Sequence, residues 1–215
     1  MDDQTQKFHE FEKVTMEIKD FPCDGFVLDI GGGGEGVIGR LKGQKCVAID
    51  IRKGELEEAA QGPLKIVMDA RDLKFLDNSF NVATAFFSMM YIRSMEDHQK
   101  IFKEIYRVVR PGGFFYLWEV DLAERLDTDK EFYVVNLRYK VNNEEFETGY
   151  GQRWPDEPRG EQYYLSLARE AGFHHLETER NGNTFTMAFQ KDQFITPHLS
   201  QKVGRSEATR NEIRP

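Results

Sequence analysis

Val27-Leu28-Asp29-Ile30-Gly31-Gly32-Gly33-Gly34-Glu35-Gly36 is an apolar strand that breaks into four consecutive glycines and then a helix start. Glycines in that place let the chain turn with positive φ and let a ligand lie against main-chain N–H groups, while the helix start adds unpaired donors and partial positive charge. The stretch reads as a nucleotide cradle. Gly31, Gly33 and Gly36 spell G-x-G-x-x-G, a pattern that nicotinamide dinucleotides use but that does not by itself choose among nucleoside-containing ligands.

Moving outward, the next strand, Cys46-Val47-Ala48-Ile49-Asp50-Ile51, ends in an acid. Asp50 stands about 20 residues beyond the first glycine, the distance at which a carboxylate accepts ribose hydroxyls. A third strand, Leu64-Lys65-Ile66-Val67-Met68, is again followed by an acid, in Asp69-Ala70. Three strands that end in Asp29, Asp50 and Asp69 place carboxylates where open α/β sheets bind ligands. Phe80 to Phe87 is a fourth apolar strand, Glu96 to Val109 an amphipathic helix, and Phe114 to Val120 a fifth strand that carries Trp118, Glu119 and Asp121 to the same edge. Continuous apolar strands alternating with helices predict a parallel sheet covered on both faces.

Other segments depart from that alternation. Phe8, Phe11, Val14 and Ile18 recur at helical spacing, which predicts an N-terminal amphipathic helix within residues 1–24. Between residues 125 and 157, Tyr133, Val135, Leu137, Tyr139 and Val141 alternate with polar positions, Asn142-Asn143 turns the chain, and Phe146, Thr148 and Tyr150 resume the period of two. This is a hairpin insertion, either a cap over a substrate or a surface between subunits. Leu176 to Gln190 reads as a terminal hairpin, and residues 196–215, polar and aperiodic, as a disordered tail after a single domain of residues 1–195.

Composition narrows the function classes. The chain has 215 residues, 40% hydrophobic and 13% aromatic, enough for a packed domain. A formal net charge of −8 opposes accumulation on nucleic acid or anionic membranes. No apolar run reaches the length of a membrane span, and the start at Met1-Asp2-Asp3 has no signal-peptide pattern, so a cytoplasmic protein, monomer or homodimer, is expected. Cys23 and Cys46 lack metal-ligand spacing, and His174-His175 are adjacent rather than one helical turn apart, so no metal site is expected.

Taken together, Val27-Leu28-Asp29-Ile30-Gly31-Gly32-Gly33, Asp50, Met68-Asp69-Ala70 and Val108-Val109-Arg110-Pro111-Gly112-Gly113 resemble the class I S-adenosylmethionine-dependent methyltransferases, in their small-molecule-methyltransferase-like branch. The resemblance implies a Rossmann-like α/β fold, a mostly parallel seven-stranded sheet with an antiparallel last strand, and the hairpin as an insertion after strand five. It implies S-adenosylmethionine as cofactor, left as S-adenosylhomocysteine, and methyl transfer by in-line displacement to a small-molecule acceptor. Carried over to this sequence, Gly31, Gly32 and Gly33 wrap the methionine part. Asp29 fixes that loop or receives the ammonium group, Asp50 with Ile51 meets the ribose, Asp69 and Ala70 meet the adenine, and Phe86 and Phe87 floor the reacting methyl. Tyr91, Glu119, Asp121 and Tyr150 are the candidates to contact the acceptor; no catalytic base is assigned.

The cofactor is cationic at sulfur and nitrogen and has no pyrophosphate, so a carboxylate in the glycine turn suits it and would repel a dinucleotide. A nicotinamide-dependent oxidoreductase and a non-catalytic S-adenosylmethionine-binding protein remain as alternatives. Three positions depart from the family's pattern: Glu35 stands where many members have the loop's last glycine, Asn81 replaces a common aspartate, and Met89-Met90-Tyr91 stands where some members have paired histidines.

Overall fold

The computed structural model describes residues 7–193 except 125 and 127. Its centre is a seven-stranded sheet built from β3 (Val27–Ile30), β4 (Cys46–Asp50), β5 (Leu64–Val67), β6 (Phe80–Phe86), β7 (Val109–Val120), β10 (Phe173–Asn181) and β11 (Thr184–Lys191). The strand order is β10-β11-β7-β6-β3-β4-β5. The five strands from β5 to β7 run parallel, and β11 lies antiparallel to both β7 and β10. The mostly parallel sheet with an antiparallel ending is the one the resemblance implied.

Side chains along these strands alternate between two apolar layers, which is why their sequences read as unbroken hydrophobic runs. Leu28, Ile30, Val47, Ile49, Ala83, Ala85, Phe115 and Leu117 pack on one face, against α3 (Met95–Val108) and α4 (Glu161–Ala171). The Ser94 hydroxyl caps α3 by accepting from the Asp97 amide at 3.1 Å, and Gly172, at φ 108°, ends α4. Val27, Cys46, Ala48, Val82, Phe86 and Trp118 face the other layer, with α1 (Val37–Lys42), α2 (Lys53–Glu58) and a second sheet.

That second sheet corrects the reading of the N-terminus. Residues 8–17 do not form a helix; they form β1 (Phe8–Glu10) and β2 (Val14–Glu17). Both pair in parallel with successive stretches of β8 (Phe132–Val141), whose other edge pairs with β9 (Glu144–Arg153). The hairpin insertion is therefore present, and its exposed edge recruits the N-terminal segment. Within that segment Val14 and Ile18 are buried while Thr15 and Glu17 are exposed, a strand's alternation. β7 also starts earlier than expected: Val109 already pairs with Phe80, and Arg110–Gly113 bulge out of register before Phe114 meets Val82. The polar tail of residues 196–215 lies outside the described residues.

Among the described residues no helix is long and apolar enough to cross a membrane. Within the same set, no group of three or more His, Cys, Asp and Glu side chains is arranged to hold a metal ion, and Cys23 and Cys46 are free thiols.

Candidate active site

A cavity of about 540 Å³ opens at the carboxyl ends of β3, β4, β5 and β6, the end at which a parallel sheet presents its loops and ligands. The glycine turn forms one wall. Gly31 has φ +70°, and a Cβ there would come within 2.5 Å of the Ser88 Cβ, so the loop from β3 and the loop from β6 meet at van der Waals limit. The Ser88 hydroxyl seals that meeting by donating to the Ile30 carbonyl at 2.7 Å.

Asp29 lies beneath the turn. Its register neighbours are Ala48 and Thr84, and the Thr84 hydroxyl donates to Asp29 Oδ1 at 2.8 Å. A Cβ on Gly32 would stand 2.6 Å from Asp29 Oδ2, so the turn closes directly over the carboxylate. Only 2% of the residue is exposed. Burial pushes its pKa up to about 7; the Thr84 hydrogen bond works against this and the nearby Asp50 charge adds to it. Asp50 ends β4, and its Oδ1 accepts from the Arg52 amide at 2.8 Å. Ile51 is 60% exposed and borders the same opening.

Asp69 and Ala70 line the far end. The Asp69 carboxylate is held by Arg71, whose guanidinium also reaches Asp97 at 3.0 Å, and the Arg71 hydrogen bond holds Asp69 below the usual carboxylate range. The Asp97 link ties the loop after β5 to the first turn of α3.

Phe86 and Phe87 both border the cavity, although successive strand residues ordinarily point to opposite faces. Phe87 turns into the left-handed region, at φ 47°, which ends the strand and swings the second ring to the same side as the first; their centroids are 5.0 Å apart. The backbone cost is of the order of 1–2 kcal/mol. Tyr150 from β9 stacks on Phe87 at 5.6 Å and 21°, so the hairpin supplies the aromatic roof of the cavity. Tyr91, on the single helical turn Met89–Tyr91, completes this end.

Of the acceptor candidates, Tyr91 and Tyr150 border the cavity and Glu119 and Asp121 do not. Glu119 follows Trp118 on β7 and points to the opposite face, toward α4, where the Tyr164 hydroxyl donates to Oε2 at 3.1 Å. It is fully buried, and burial raises its pKa to about 8 despite that hydrogen bond. Asp121 is spent in an ion pair with Arg180 at 2.6 Å.

Glu35 is the lining residue that motif reasoning treated only as a departure. Its carboxylate accepts from the hydroxyls of Thr148 and Tyr150 on β9, so the glycine turn and the hairpin are joined there. The signal was present in the polar residues Thr148 and Tyr150, which alternate onto one face of β9, but nothing local linked them to a residue over 100 positions earlier.

Residues 28–117 match the model of a family described as a methyltransferase domain. The chain is 35% identical over 115 residues to a sterol 4-C-methyltransferase of Caenorhabditis elegans, covering 48% of this chain and 33% of that protein. It is 31% identical over 132 residues to a demethylmenaquinone methyltransferase of Mycolicibacterium vanbaalenii, covering 60% of this chain and 55% of that one. The chain thus spans between a third and about half of these relatives' own length. In fold it is similar to an S-adenosylmethionine-dependent methyltransferase from Methanosarcina mazei, with a TM-score of 0.59 and 18% identity over 80% of this chain and 95% of that one.

Proposed function

We propose, from the match of residues 28–117 to a methyltransferase-domain family and from the similarity of the fold to that of S-adenosylmethionine-dependent methyltransferases, that this chain transfers a methyl group to a small-molecule acceptor. The observation that carries the reading is the charge gathered at the glycine turn. Asp29, Glu35, Asp50 and Glu55 all border the cavity there, where a dinucleotide would have to place its pyrophosphate. The partly exposed carboxylates of Glu35, Asp50 and Glu55 repel phosphates and favour a cationic ligand, with Asp29 buried beneath the turn.

The residues fit S-adenosylmethionine, which supplies a methyl already activated on a sulfonium. Gly31, Gly32 and Gly33 would hold its amino-acid part against the main chain, with Asp29 fixing the turn from below. Asp50 and Ile51 would take the ribose, and Asp69 with Ala70 the adenine. Phe86, Phe87, Tyr91 and Tyr150 would exclude water from the reacting centre and present aromatic faces to a cationic group and an apolar acceptor. With the cofactor activated, alignment supplies most of the rate, and a base is required only for an acceptor that must lose a proton. Tyr150 does not serve as that base, because burial, and next the charge of Glu35, hold its hydroxyl in the protonated form.

Acceptors related to those in the names of the sterol and quinone methyltransferases are the first to try. Calorimetric titration with S-adenosylhomocysteine, NAD and NADP tests the cofactor. Saturable binding of the first alone is expected; binding of a nicotinamide dinucleotide without S-adenosylhomocysteine would replace this reading with that of an oxidoreductase.

A further inference from the structure

Among the described residues Glu35 stands in the cradle without an ion-pair partner. Its neighbours Gly34 and Gly36 have φ +55° and +56°, and Arg40 Nε donates to its carbonyl at 2.9 Å, so the backbone on both sides is fixed. The side chain reaches the cavity lining, and its carboxylate meets two neutral donors, the hydroxyls of Thr148 and of Tyr150, the latter at 3.1 Å. Among the described residues no Lys, Arg or His lies within ion-pair distance of it.

The other carboxylates at the turn are already engaged. Asp29 is sealed under Gly32, Asp50 Oδ1 accepts from the Arg52 amide, and Glu55 pairs with Arg52 at 3.1 Å. A partly buried carboxylate held by hydroxyls, with no cation within ion-pair distance among the described residues, is a receptor for an ammonium.

We propose that Glu35 is the cofactor's ammonium anchor, and that through Tyr150 it makes cofactor binding set the aromatic roof over Phe87. The proposal rests on reading the cavity as the S-adenosylmethionine site. It assigns Asp29 the loop-fixing role and gives the ammonium to a residue standing where many relatives have glycine. Because Glu35 accepts from Thr148 and Tyr150, an ammonium held on the same carboxylate couples the glycine turn to β9 through those two hydroxyls.

The test compares two probes on Glu35→Gln, which keeps the size and an acceptor oxygen for the hydroxyls. S-Adenosylhomocysteine carries the ammonium; 5′-methylthioadenosine has the same nucleoside and sulfur without the amino-acid part. Calorimetry should show at least a tenfold loss of affinity for the first and little change for the second. Gly31→Ala, acting through the whole turn, should weaken both. Hydrogen exchange should show S-adenosylhomocysteine protecting the amides around Thr148–Tyr150 in the wild type and not in Glu35→Gln. Equal losses for both probes, or no loss for either, would overturn the anchor while leaving the cofactor site standing. Failure of the wild type to bind either probe would remove the cofactor reading and the anchor together.

Discussion

Replacing Asp29 with asparagine separates the energetic cost of the buried carboxylate from its use. An acid with a pKa of about 7 in the folded chain and 3.8 when free keeps its proton in the native state through a window where the unfolded chain has lost it. The folded state then binds more protons than the unfolded one, so stability falls as pH rises, by 1.36 kcal/mol per pH unit. Across the whole window the loss is at most about 4 kcal/mol, and between pH 5 and pH 7 roughly 2 kcal/mol. Asparagine keeps the acceptor for the Thr84 hydroxyl and has no charge to bury. In urea denaturation of the ligand-free protein, Asp29→Asn should therefore gain on the wild type by roughly 3 kcal/mol between pH 5 and pH 8, a relative Tm gain of several degrees for a chain of this size. The difference between the two proteins matters more than either curve, because other groups titrate equally in both. A gap that stays constant from pH 5 to pH 8 would show that Asp29 is ionised in the fold at ordinary cost, and the argument that the turn closes over a desolvated carboxylate would be refuted.

Other perturbations read different parts of the structure. His98 is fully buried, with Nε2 donating to the Met89 carbonyl at 3.0 Å and Nδ1 accepting from the Tyr163 hydroxyl at 2.9 Å; burial, then Arg159, lower its pKa to about 4. Its folded pKa lies below the unfolded 6.5, so its contribution is lost as pH falls from 6.5 toward 4, and His98→Gln should show a shallower acid-side decline in urea denaturation than the wild type. Tyr164→Phe leaves Glu119 Oε2 without its donor and should cost about 1–3 kcal/mol by the same assay, with S-adenosylhomocysteine affinity unchanged because Glu119 faces away from the cavity. Gly31→Ala forces a side chain onto φ +70° and into the Ser88 Cβ; it should lower stability by more than about 1 kcal/mol and weaken S-adenosylhomocysteine binding by more than tenfold in calorimetry.

The parts of this molecule that were readable from sequence share a physical property: their signal is local. β3, β4, β6 and β7 announce themselves because both faces of each strand are buried, and the cradle does so because a turn against Ser88 and over Asp29 tolerates only glycine. Residues 8–18 had no such uniqueness. Phe8, Phe11, Val14 and Ile18 fit a helical stripe, while Val14, Met16 and Ile18 fit a strand's period of two, and the tie is broken by β8, more than 100 residues away, whose free edge takes up the segment. Distance hid the partners of Glu119 and Asp121 in the same way. The parity of β7 already sets Glu119 opposite Trp118, yet only the packed fold supplies Tyr164 and Arg180 to receive the two acids.

Glu35 carries that logic one step further. A carboxylate in a glycine turn conflicts with local expectation, and the conflict is resolved by two hydroxyls from the hairpin insertion. Keeping a carboxylate without an ion-pair partner among the described residues near Asp50 raises the electrostatic cost of the cavity without a ligand, a cost that a cationic ligand reverses. The residue that fits its local motif least is thus the one whose presence depends most on what the cavity binds.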